Sequence, residues 1–302
     1  MSTSAADQTV HSGSSVLICS RNRPDLLRDA VSSVLSMRTL PEELVVVDQS
    51  DEPHPELSAD QPHAQVRLTY VWSRDRGLSR ARNAGVAASS GELIGFLDDD
   101  VVADPDWLAV AVGRLRAAGP RHVVTGRVEP GPPEVPGAWA PSTISDRAAR
   151  SYRGRLRKDV LYPHNMAMFR SALVEVGGFD ERLGTGTAYA SAEDNDFCYR
   201  LLRAGYVVDY CPDAVVLHRA WRREDLLDGL KYGYGRGQGA FYVKYVQRRD
   251  WFMLRRFASD AARHSARALL RASRGDTYRA RADLAYTRGL LSGAAGWARK
   301  AP

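Results

Sequence analysis

Cysteine is scarce in this 302-residue chain, which carries only Cys19, Cys198 and Cys211. Their number is odd and their spacing suits no zinc site, so a disulfide framework is not expected and a reducing, cytoplasmic setting is. Long apolar runs are missing too. The longest are the length of a strand, so no segment is expected to span a bilayer. The N-terminus lacks a basic flank followed by an apolar stretch, and residues 1–14 read as a disordered lead-in rather than a signal peptide. No internal repeat is visible. What remains is 44% hydrophobic and 26% charged, proportions that exclude a disordered or fibrous chain and leave a globular protein of about one to two domains.

The net charge of +6 is unevenly spread. From Asp250 to the end there are eleven Arg or Lys against four Asp, a net of +7, and the rest of the chain sums to −1. The basicity therefore belongs to a C-terminal extension, expected over 221–302, and the preceding 15–220 form the main domain.

Within that domain, short β-branched runs alternate with helix-period segments. Val16–Ser20 is a strand stopping at Arg21-Asn22-Arg23, and Pro24 sits where a first helical turn tolerates it. Leu26, Leu27, Ala30, Val31, Val34 and Leu35 then repeat at helical spacing. Leu44–Val47 is a second strand, ending in Asp48; Val66–Trp72 is a third, followed by a helix over Leu78–Ala88. Glu92–Leu97 is a fourth, ending in Asp98-Asp99-Asp100. A helix starting at Pro105 stops at Gly119-Pro120, and a proline-rich loop runs from Glu129 to Pro141. The second half offers Asn165–Phe169, a helix over Ala192–Ala204 closed by Gly205, and strands near Tyr206–Tyr210 and Ala214–Leu217. Continuous apolar strands alternating with helices predict an α/β fold, a mostly parallel sheet with helices on both faces. Ligands of such sheets bind beyond the carboxyl ends of the strands, where the polar clusters fall.

Three adjacent carboxylates at Asp98–Asp100 repel one another unless a cation or solvent screens them, and a hard divalent ion shared with a diphosphate would do so. The alternative is a solvated turn, with Asp104 capping the next helix. His218 ends the last strand and becomes a metal ligand only if the fold carries it to that cluster. Glu193 and Asp194 open a helix. Either one faces a cleft as a general base, its proton affinity raised by its neighbour, or Ser191 and Asp194 form a capping box and Asp196 pairs with Arg200 on the helix surface. Arg74, Arg76, Arg80 and Arg82 crowd a helix start and could receive phosphate. The run Gly233–Gly239 lacks the spacing of a phosphate or dinucleotide loop and reads as a flexible break, with Arg236 on a lid.

Together these segments resemble a family 2 glycosyltransferase of the GT-A fold. The resemblance spans Ser15 to Trp221 and rests on VLICSRNRPDL (16–26), LVVVDQS (44–50), GLSRARNAG (77–85), FLDDD (96–100), GGFDE (177–181), EDNDFCYRL (193–201) and AVVLH (214–218), in family order. Arg21 and Gln49 depart from the residues common at their positions. The resemblance implies an inverting, metal-dependent transfer of a sugar from a nucleotide-diphosphate donor to an acceptor hydroxyl. It implies that Asp48 contacts the base, with Ser20, Arg23, Ser50, Arg76 and Arg82 nearby. Asp98 would meet ribose and metal, and Asp100 and His218 would hold Mn²⁺ or Mg²⁺. Asp194 would be the general base, with Glu193 as the alternative.

A non-catalytic nucleotide-sugar or glycan-binding module would need neither Glu193-Asp194 nor the metal pair. A nucleotidyltransferase would need a lysine-containing glycine loop after Ser20, which is missing. In the extension, arginines interleave with Phe252, Leu254, Phe257, Leu269 and Leu270. Such a pattern fits either peripheral contact with the inner face of a membrane or a solvated or dimerising helix. No nucleic-acid module is recognisable, and no nucleic-acid partner is expected.

Overall fold

The computed structural model describes residues 8–58, 63–134, 136, 138, 140, 142–219, 221, 223 and 226–299. Its centre is a nine-stranded sheet. The strands are β1 (Thr9–Ser20), β2 (Thr39–Asp48), β3 (Arg67–Trp72), β4 (Leu93–Asp98), β5 (Val101–Ala103), β6 (His122–Pro130), β7 (Arg150–Tyr152), β8 (Asn165–Phe169) and β9 (Val207–His218). They lie in the order β3-β2-β1-β4-β8-β6-β9-β5, with β7 also on β9. The first four run parallel, β8 enters antiparallel between β4 and β6, and β6 and β9 are parallel again.

The apolar run at the end of β1 is continuous because it is covered twice. Val16 and Ile18 face α1 (Pro24–Leu35) and α3 (Trp107–Ala118), while Leu17 and Cys19 face α2 (Leu78–Ala88) and α5 (Glu193–Arg203). Helix α1 buries Leu27, Ala30, Val31 and Val34, one stripe of its surface, with Pro24 in its first turn. A short helix, α4 (Arg170–Val176), follows β8.

Several expectations need correction. The strand β1 begins at Thr9, inside the segment expected to be disordered, and residues 1–7 lie outside the described chain. Strand β6 was not expected at all. A Cβ at its Gly126 would lie 2.0 Å from the Ala214 carbonyl oxygen, so the glycine permits a close strand approach. The two strands expected after Gly205 are one, β9, with an irregularity opposite Gly126 and Arg127. Helix α5 starts after Ala192, whose φ is +69°, and Ser191 does not cap it. The Ser191 hydroxyl instead donates to the carbonyls of Gly233 and Tyr234. The Asp196–Arg200 pair is no surface decoration, because Asp196 is fully buried and also accepts from Lys244 and Tyr245.

The extension forms three helices, α6 (Leu227–Val246), α7 (Trp251–Ser273) and α8 (Thr277–Arg299). Gly233–Gly239 is not a flexible break but the middle of α6, and Arg236 lies on that helix with its guanidinium over the Tyr189 ring. Gly235 and Gly239 of α6 meet Gly289 and Gly293 of α8 in a seam of backbone contacts. A Cβ at any of the four would lie 1.9–2.1 Å from a carbonyl oxygen of the opposite helix. Among the described residues no helix is long and apolar enough to cross a membrane.

Candidate functional site

The carboxyl ends of β1, β4 and β9 converge. Cys19 is in register with Asp98, so Ser20 stands next to the acidic turn, and β5 pairs Val101 with His218. This brings His218 Nε2 to 3.3 Å from Asp100 Oδ1, across more than a hundred residues of sequence. His164 stacks on His218 with ring centroids 5.1 Å apart and planes 11° from parallel. Burial pushes His164 down to about 4, which leaves it neutral at ordinary pH, and among the described residues its Nε2 has no hydrogen-bond partner.

The three carboxylates do not face one another undefended. Asp98 accepts from Arg82 at 2.9 Å. Asp99 accepts from Ser20 Oγ at 2.7 Å, and Arg23 donates at 3.0 Å to both Asp99 and Asp100. Burial dominates at Asp99 and pushes it up to about 6. At Asp100 burial acts in the same direction, but the hydrogen bond and charge of His218, with Arg23 beside it, hold the carboxyl below the usual range. The three carboxylates, Ser20, Arg23, His164 and His218 line a cleft of about 620 Å³, together with Asn22, Gln49, Gly77 and Tyr234.

The expected nucleotide contacts divide. Ser20, Arg23 and Asp98 line this cleft; Asp48, Ser50 and Arg76 do not. Asp48 is buried, and its carboxylate already accepts from the backbone and hydroxyl of Ser50 and, at 2.7 Å, from Tyr70. Arg76 pairs with Asp51 at 3.6 Å, Arg80 with Glu181, and Arg74 lies over Trp72, so the four arginines do not form one phosphate site. Arg82 is fully buried, clamped between Asp98 and Glu193 Oε1 at 3.2 Å, over the Phe179 ring. His164 is not singled out by the sequence, because no pattern of spacing flags it; Gln49, a departure from the residue common at its position, lines the cleft.

A second cavity of about 480 Å³ adjoins the first, sharing Asp98, His164 and Tyr234. Glu193 and Asp194 both line it, from the first turn of α5. Glu193 is committed to Arg82. Asp194 accepts only from the backbone N–H of Asn195 among the described residues, and burial, with the charge of Glu193 next, pushes it up to about 8. That is a carboxylate with the proton affinity of a base at neutral pH.

Among the described residues, no three His, Cys, Asp or Glu side chains are gathered as a ready metal site. Asp100 and His218 are in contact, whereas Asp98 is turned to Arg82. The donor set nonetheless suits a divalent ion: a carboxylate and an imidazole in contact, a further carboxylate lining the same cleft, and one imidazole nitrogen, of His164, without a partner among the described residues.

The sequence model of glycosyl transferase family 2 matches residues 15–177, more than half of the chain. A glucosyl-dolichyl phosphate glucuronosyltransferase of Haloferax volcanii is 26% identical over 229 residues, covering 72% of this chain and 72% of that protein. A pre-mycofactocin glycosyltransferase of Mycobacterium tuberculosis is 30% identical over 215 residues, covering 69% of this chain but 43% of that protein. A mannosyltransferase of Pyrobaculum calidifontis, solved in complex with GDP-Man and Mn²⁺, superposes with a TM-score of 0.61 at 17% identity, covering 92% of this chain and 87% of that one. That likeness identifies the architecture as the GT-A fold. The chain belongs to glycosyl transferase family 2 and is a glycosyltransferase.

Proposed function

We propose that the protein moves a sugar, with inversion, from a nucleoside-diphosphate donor in the first cleft to an acceptor hydroxyl in the second. The observation that carries this reading is the position of Asp194, a carboxylate of raised proton affinity in a cavity that adjoins the Asp100–His218 pair. Asp100 and His218, with Asp98 beside them, are the residues to hold a divalent cation. Bound there, it would supply positive charge against the charge that develops on a departing diphosphate. Ser20 and Arg23 line the same cleft. Asp194 takes the proton of the acceptor hydroxyl as its oxygen bonds to the anomeric carbon and the bond to the diphosphate breaks. A single displacement of that kind inverts the centre. Glu193, tied to Arg82, supports Asp194 by its charge rather than acting itself.

Asp194→Asn is expected to lower transfer by roughly 10²–10⁴-fold, while a nucleoside diphosphate with Mn²⁺ still raises the melting temperature. The base works ionised, so kcat/KM of the parent should climb as pH rises through about 8, and this rise should vanish in the variant. Full transfer by Asp194→Asn would remove the base assignment.

The outer surface of the extension supports peripheral contact with an anionic membrane. Trp251, Leu254, Leu269, Leu270, Leu284 and Leu291 are exposed, and Arg255, Arg267 and Arg288 on the same two helices, with Arg274 just after the first of them, carry no ion pair among the described residues. Three of the four acids in this region, Asp250, Asp260 and Asp283, are buried and leave the exterior cationic.

A further inference from the structure

The second cavity is not built by the sheet domain alone. Its far wall comes from the extension: Gln238 and Tyr242 on α6, Arg256 and Asp260 on α7, Tyr286 on α8. These side chains form one network. Asn195 donates to Gln238, Gln238 to the Tyr242 hydroxyl and to Asp159, and Tyr286 to Asp260 at 2.6 Å. A wall of amides, phenols and carboxylates matches a polyhydroxylated ligand, whose hydroxyls both donate and accept.

Five basic and five acidic side chains line this cavity, but they are not all paired: among the described residues Asp194 has no cationic partner, and two cations lack an acidic one. Arg82 occupies Asp98 and Glu193, Arg256 occupies Asp159, and Arg263 occupies Asp260. Two cations at the mouth remain, Arg157 and Lys158. Neither has a carboxylate partner among the described residues, and Lys158 only lies over the Tyr152 ring. Deeper in, Arg256 has a side chain only 6% exposed. One of its terminal nitrogens donates to Asp159 at 2.7 Å, but its Nε–H has no acceptor among the described residues. A buried guanidinium N–H without an acceptor is costly, and a ligand oxygen would satisfy it.

We propose that the C-terminal helices complete the acceptor site, and that the acceptor is a polyhydroxylated molecule bearing an anionic group, a phosphate or a carboxylate, which meets Arg157, Lys158 and the Nε–H of Arg256. This rests on the reading of Asp194 as the base beside the acceptor. Methyl glucoside, glucose 6-phosphate and glucuronate, titrated into the full-length protein saturated with UDP or GDP and Mn²⁺, test it. At least one anionic sugar should bind about tenfold more tightly than the neutral one, and whichever does so names the anion. The double variant Arg157→Ala/Lys158→Ala should abolish that preference, and Arg256→Lys, which keeps the charge but loses the Nε–H, should weaken it. The melting-temperature shift given by the nucleotide and Mn²⁺ should stay unchanged in both variants. Equal binding of neutral and anionic sugars, no binding of any of the three with nucleotide bound, or a preference that survives the double variant would overturn the proposal. Absence of any nucleotide response in the parent protein would instead overturn the donor reading above.

Discussion

The sheet domain and the C-terminal helices differ in how far backbone contact and buried polar pairs supplement an apolar core. Between strands and helices the contacts are apolar and interlocking. Phe96, for instance, meets Phe179 edge-on with centroids 5.7 Å apart, and Phe179 stacks on Phe197. Among α6, α7 and α8 a smaller cluster of Phe241, Tyr245, Met253 and Leu290 is supplemented by backbone contact at the glycine seam and by buried polar pairs, His264 with Asp283 at 2.7 Å and Tyr286 with Asp260, while Arg256 reaches Asp159 of the sheet domain. A core of the first kind gains from the area removed from water and tolerates hydrophobic exchange of similar volume. An assembly of the second kind depends on every partner being present, since a buried polar group left alone costs more than its hydrogen bond contributed.

Substitutions can press on that contrast. The largest effect is expected at Phe96→Ala, which empties the sheet core and should cost about 3–5 kcal/mol, read as a lower urea midpoint for the whole chain. Gly239→Val is expected to cost about 1–3 kcal/mol or more, but to act on the extension alone. Since a Cβ there would lie 2.0 Å from the Leu290 carbonyl oxygen, α6 and α8 must part. Hydrogen exchange should then quicken in α6 and α8 and stay slow in β1 and β4. Equal loosening of both regions would show that they fold as one unit. The smallest effect concerns the exterior. The parent protein should sediment with anionic vesicles at low salt and release them as salt is raised, because surface charge is screened within about 10 Å at 0.1 M. No sedimentation at low salt would leave the extension without its membrane role.

The same contrast explains what the sequence discloses. Strands of the sheet domain are legible because burial on both faces forces unbroken β-branched runs, as at Leu44–Val47, and because polar clusters mark their carboxyl ends. The meeting of Asp100 with His218 is legible only through the resemblance, since it depends on β5 pairing with β9. Strand β6 is hidden by Gly126, whose role is to admit Ala214 and not to break a strand. Asp48 carries a family motif, yet Tyr70 and Ser50 hold its carboxylate within the fold. In the extension, the signal was present but has two meanings. Glycines four apart in Gly235/Gly239 and again in Gly289/Gly293 mark helices in close contact, and the same letters in a shorter window read as a flexible hinge. Arg256 and Asp159 are distant in sequence and form no pattern before the chain folds.

The glycine seam also bears on how such a protein can diversify. Where two backbones touch without side chains between them, no rotamer can shift to absorb a methyl group, so the inner positions of α6 and α8 are closed to change. One helical face away, Gln238, Tyr242 and Tyr286 stand on that rigid frame and line the second cavity, their polar tips tied to Asn195, Asp159 and Asp260. New acceptor preferences can therefore arise by exchanging those tips, while the distance from the wall to Asp194 stays as the seam sets it.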